Sequence, residues 1–74
     1  MWKQVKFTYY MFPDAKHMGV VMEKAPLRKD GPAEWRVVVK QGFMANTVAT
    51  GEEASLSEAF RAVENWFAER ISDN

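Results

Sequence analysis

The residues whose types suit chemistry are few: one histidine, His17, three positions after Asp14; the serines Ser55, Ser57 and Ser72; and the adjacent acids Glu52 and Glu53. Nucleophilic catalysis by a Ser–His or Cys–His pair needs a base held beside the nucleophile. The chain has no cysteine, His17 stands next to a turn, Ser55 and Ser57 have the spacing of helix-capping residues, and Ser72 falls at a fraying end. A structural zinc site needs about four nitrogen or sulfur ligands; His17 with Asp14 does not reach that, and His17 reads as a surface residue. Glu52 and Glu53 could serve as the paired carboxylates of a glycosidase, but they precede a helix start, where acids suit the dipole. Gly19, Gly31, Gly42 and Gly51 are too scattered for a phosphate-cradling loop. The expectation is a non-enzymatic protein with no cofactor and no metal.

Size sets further limits. The 74 residues suit a single domain, 1–74, and a chain this short buries only about 60–65% of its unfolded surface. Without cysteine it has no disulfide to compensate, so stability must come from core quality or association. The supply is good, because 47% of residues are apolar, with three Trp, five Phe and five Met. The cysteine-free composition and a charged N-terminus, Met1-Trp2-Lys3-Gln4-Val5-Lys6, fit a cytoplasmic protein without a membrane span. Net charge is zero but uneven: residues 1–50 hold eight Lys/Arg against four Asp/Glu, and residues 51–74 hold two against six.

The elements that must position any site follow from periodicity. Lys3 to Phe12 reads as one strand, with Val5, Phe7, Tyr9 and Met11 on its apolar face. Phe12-Pro13-Asp14-Ala15 reads as a type I turn with proline at its second position. A second strand, His17 to Ala25, would turn Met18, Val20 and Met22 inward and Val21 and Glu23 outward. Pro26 to Ala33, with two prolines and the run Arg28-Lys29-Asp30, is the longest loop. A third strand, Glu34 to Lys40, sets Trp35, Val37 and Val39 against Arg36, Val38 and Lys40. Gln41-Gly42 signals a tight turn, and Phe43 to Thr50, of weak alternation, is a candidate fourth strand. Ser55-Leu56-Ser57-Glu58 matches a capping box. After it, Leu56, Phe60, Val63, Phe67 and Ile71 recur every three or four residues, giving a helix from about Ser55 to Ile71 with one apolar stripe. The predicted class is α+β: three or four antiparallel strands and one C-terminal helix packed on one sheet face, in the order β-β-β-(β)-α.

Residues 34–70, from Trp35-Arg36-Val37-Val38-Val39-Lys40 to the helix Glu53-Ala54 through Ala68, resemble the strand–strand–helix half of double-stranded-RNA-binding domains. That family opens its last helix with phosphate-gripping lysines, whereas this chain offers Glu52, Glu53 and Glu58. An acidic helix start repels a duplex backbone, so the resemblance implies a layout and not that function. The same layout recurs in antitoxins and small phage-encoded inhibitors.

One helix covers one sheet face. The other should carry Lys6, Thr8, Tyr10, Phe12, Val21, Arg36, Val38 and Lys40. Aromatic residues beside Lys and Arg suit a protein interface, and the expected role is a small inhibitor or adaptor binding a larger protein, in the style of a phage or mobile-element accessory protein. Lys6, Tyr10, Phe12, Arg36 and Lys40 are its candidate contacts. The alternative is a nucleic-acid-binding domain using the same face. A rival protein site is the acidic helix surface of Glu58, Glu64, Trp66 and Glu69. A homodimer, across the open face or edge to edge, is a further expected state.

Overall fold

The computed structural model describes residues 1–70. Five antiparallel strands follow one another across a single sheet: β1 (Lys3–Val5), β2 (Thr8–Met11), β3 (His17–Glu23), β4 (Ala33–Gln41) and β5 (Met44–Glu53), in the spatial order β1-β2-β3-β4-β5. The helix α1 (Leu56–Arg70) lies on one face, against β3, β4 and β5. This is the expected α+β layout with five strands in place of three or four. Ile71, assigned above to the helix stripe, and Ser72 lie outside the described residues.

The extra strand comes from a break within residues 3–12. Lys6 sits at φ 56°, and Lys6-Phe7 forms a two-residue connection, so that Val5 faces Thr8. The Gln4 amide donates to the Lys6 carbonyl at 2.9 Å and holds the turn. The apolar row read from the sequence therefore divides. Tyr9 and Met11 pack on the core, whereas Val5 and Phe7 are exposed.

The second strand faces opposite to expectation. Val21 is fully buried on the helix face with Val37, Ala33, Ala59, Val63 and Phe67, whereas Met18, Val20 and Met22 point to the other side. Gly19 decides the facing. A Cβ built there would lie 2.6 Å from Val63 Cγ1 and 3.1 Å from Phe67 Cε2, so the helix seats directly on bare backbone. Any side chain at Gly19 would lift the helix. Gly19→Ala is expected to cost about 1–3 kcal/mol by overpacking, and adding Val63→Ala should recover part of that loss. Denaturant midpoints of the two single variants and the double variant check this, and strict additivity would mean the two sites do not touch.

The third strand faces as expected, with Trp35, Val37 and Val39 towards the helix and Arg36, Val38 and Lys40 away. The fourth expected strand is longer than its sequence signal, and the register explains why. Val37 pairs with Ala49 but Val38 pairs with Thr47, so Val48 is an extra residue at a bulge. A bulge shifts the side-chain parity between the two halves of a strand, which hides alternation. Gly42, at φ 63°, takes the first position of the two-residue Gly42-Phe43 connection, where the positive φ favours glycine.

The helix start combines a local and a distant cap. Ser55 Oγ accepts the Glu58 N–H at 3.2 Å and donates to the Glu58 carboxylate at 3.2 Å. Asp30, from the β3–β4 loop, accepts both the Ser57 N–H at 2.9 Å and the Ser57 hydroxyl at 3.0 Å. Asp30 is held at φ 51° as it does so, which ties the loop to the helix.

The β2–β3 turn is organised by Asp14, whose Oδ1 accepts the backbone N–H groups of Lys16 and His17 at 2.8 and 2.9 Å. His17 Nδ1 lies 2.8 Å from the same oxygen, and these bonds hold the Asp14 carboxyl below its ordinary value of 3.8. A depressed carboxyl stabilises the fold above its unfolded pKa, and that contribution is lost as pH falls through the folded value. The melting-temperature gap between the parent and Asp14→Asn should accordingly be open at pH 5 and close towards pH 2. A gap unchanged over that range would show that the charge does not contribute.

Candidate functional site

The open face of the sheet has an apolar middle and charged ends. Its central row runs Lys3, Tyr10, Val20, Arg36, Thr50 across the five strands, in register. On one side of it lie Met18, Val38 and Thr47, with Phe12 and Lys40 beyond. On the other lie Thr8, Met22, Glu34 and Glu52. Val20 and Val38, only 9% and 8% exposed, lie outside the cluster under the helix, and among the described residues no helix packs on their side of the sheet. Around them Phe12 is 53% and Met22 41% exposed.

Four of the five first-choice residues share this surface. Arg36 stands exposed on a central strand and Tyr10 is half-buried two strands away, with Val20 between them. Lys40 Nζ stands 5.7 Å from the centre of the Phe12 ring, pairing a cation with an aromatic face at one end. Lys6 is not among them, because it lies in the β1–β2 turn, and Val21 belongs to the opposite face. Met18, Val20 and Met22 were missed. The signal that could have placed them was Gly19, which needs to lie under the helix and so turns its even-numbered neighbours outward.

The acidic end has its own bonding. Lys24 reaches Glu52 at 2.6 Å, and that bond raises the lysine's pKa above its ordinary 10.5. Glu53, on the helix face, accepts the Trp35 indole N–H at 3.1 Å. Both glutamates end β5, shortly before the helix start as expected, and each has a partner.

The rival surface on the helix is already engaged. Glu64 accepts the Trp2 indole N–H at 2.8 Å, Glu58 is bonded to the capping Ser55, and Glu69 pairs with Arg70 at 3.4 Å. Trp66 packs beside the core, and the Arg70 guanidinium lies 4.7 Å from its ring centre. The Trp2–Glu64 bond ties the N-terminal segment to the helix, while the side chains of Glu58, Glu64 and Glu69 stay exposed.

No family model, no curated protein and no solved structure matches this chain. The reading of the site rests on its chemistry. Among the described residues no helix is long and apolar enough to cross a membrane.

On the helix face, Tyr9 donates its hydroxyl proton to Glu23 at 2.9 Å, and burial with that bond raises its pKa above the usual 10.0. Trp2 and Tyr9 sandwich Phe60, with ring centres at 4.7 and 5.0 Å. This aromatic cluster joins the N-terminal segment and β2 to the helix.

Proposed function

We propose that the chain is a small non-enzymatic interaction protein that binds a larger protein, as inhibitor or adaptor, through the open face of its sheet. The observation that carries this reading is the exposed apolar surface of Phe12 and Met22 on the face opposite the helix, set around Tyr10, Met18, Val20 and Val38 and flanked by Arg36 and Lys40. An apolar middle with aromatic, methionine and arginine neighbours is the composition of a protein interface core with its polar rim.

Single-stranded nucleic acid is the second use of such a face, since Tyr10, Phe12, Arg36 and Lys40 could stack bases and meet phosphates. Two features favour protein. The central strands carry aliphatic side chains where stacking would need aromatic ones, and Glu34 and Glu52 stand in the row beside Arg36, where they would repel a phosphate track. Affinity capture from host lysate with and without nuclease separates the two. The expected result is a protein retained after nuclease, with binding that weakens only a few-fold on raising salt. Loss of about 10³ in affinity between about 50 and 200 mM salt, the signature of several phosphate contacts, would replace this reading with the nucleic-acid one.

A further inference from the structure

We infer that β5 pairs edge to edge with β5 of a second copy, joining two molecules into one continuous sheet, an assembly beyond the open-face binding proposed above. The two sheet edges differ sharply. β1 is three residues long, carries Lys3 and is closed off by the Lys6 turn. β5 is ten residues long, and from Gly42 to Gly51 it has neither a charge nor a proline. Edge strands normally carry lysine, proline or short length to prevent pairing with another chain. This one has a bulge at Val48, itself 49% exposed, and otherwise presents Ala45, Asn46, Thr47, Ala49 and Thr50 along a backbone edge that no other described strand pairs.

The bulge lets the strand match faces with its own copy about an axis that passes between residues. Ala45 and Thr47 face the open side before it, and Thr50 and Glu52 face the open side after it. A twofold axis passing between Val48 and Ala49, perpendicular to the sheet, sets Ala45 against Glu52 of the second copy and Thr47 against its Thr50. Each pair then lies on one face, as antiparallel pairing requires. An unbulged strand could not match faces about an axis between residues. Charge supports the same register. Lys40 is the cross-strand neighbour of Ala45, so the row would read Lys40, Ala45, then Glu52 and Glu34 of the second copy. Lysine and glutamate stand about two strand spacings, roughly 10 Å, apart across a small alanine, within joint reach of their side chains. The twofold repeats this contact, as an isologous interface must. Both helices fall on one side of the joined sheet and both open faces on the other.

The test is sedimentation equilibrium of the full chain over the micromolar range, with two double variants of the exposed threonines. The parent should approach twice the 8.5 kDa of the chain. Thr47→Lys with Thr50→Lys opposes like charges twice and should raise the dimer dissociation constant at least about tenfold. Thr47→Lys with Thr50→Glu opposes unlike charges twice and should dimerise at least as well as the parent. Melting curves of both variants confirm that each is folded before its mass is read. A parent that stays monomeric overturns the proposal, as does a dimer that responds equally to the two variants. Neither result bears on partner capture by the open face, which is read separately.

Discussion

Replacing Phe67 with alanine is expected to lower the unfolding free energy by about 3–5 kcal/mol, the usual cost of emptying a buried aromatic site. Phe67 is 5% exposed, lies against the bare backbone of Gly19, and meets Trp66 and His17 edge-on at 5.6 and 6.0 Å. Phe67 shares one buried cluster with Val21, Val37, Ala59 and Val63, so its truncation opens a cavity inside the packed layer. A domain of this size has only a few kcal/mol in hand, so the variant should be largely unfolded at modest denaturant concentration. Phe60→Ala should cost less, about 2 kcal/mol, since Phe60 is half-buried and loses mainly its aromatic pairing with Trp2 and Tyr9. Urea titrations of the two variants side by side give the answer. A larger loss at Phe60 than at Phe67 would move the centre of the core from β3 and β4 to the N-terminal hairpin.

The second large effect is on binding. Arg36→Ala and Tyr10→Ala should each weaken the captured partner by about 2 kcal/mol, roughly thirtyfold, because interface anchors concentrate in the desolvated middle of a patch. Arg36 is the cleaner probe. It is exposed, so its loss should leave stability nearly unchanged, whereas Tyr10 is half-buried and its truncation should also lower the melting temperature. The double variant Glu64→Lys with Glu69→Lys supplies the contrast on the opposite side of the molecule. It gives up the Trp2–Glu64 bond and the Glu69–Arg70 pair but leaves the open face untouched. Titration calorimetry should show near-parent affinity for it. The reverse pattern, with Arg36→Ala silent and the acidic double variant unable to bind, would place the site on the helix.

How much of this was legible from residue types varied with the kind of signal. The capping box and the helix stripe were plain, because several residues agree on one period. So was the facing of β4, where Glu34, Arg36 and Lys40 alternate with Trp35, Val37 and Val39 and only Val38 departs from the pattern. The β1–β2 hairpin was hidden, since its turn uses Lys6 at positive φ rather than the glycine or asparagine that marks such turns, and the alternation runs through it unbroken. The facing of β3 was inverted because both of its faces are apolar. Met18, Val20 and Met22 outweigh Gly19 and Val21 in size, but the helix seats where the side chain is missing. The last strand looked irregular because Val48 shifts its parity midway. For the candidate site, Arg36 and Lys40 followed from the facing of β4, and Phe12 and Tyr10 followed from aromatic type. The valine and methionine centre that makes the face an interface could not be seen until Gly19 had fixed which way β3 turns. The distant cap from Asp30 to Ser57 joins positions far apart in the chain, and no local pattern announces it.

The most direct test of the open-face account is cross-saturation from an unlabelled captured partner to the methyl groups of the labelled chain. Intensity loss is expected at Met18, Met22 and Val38, which share the open face, and little change at Leu56 and Ala68 of the helix. Saturation reaching Leu56 and Ala68 while Met18, Met22 and Val38 keep their intensity would contradict it.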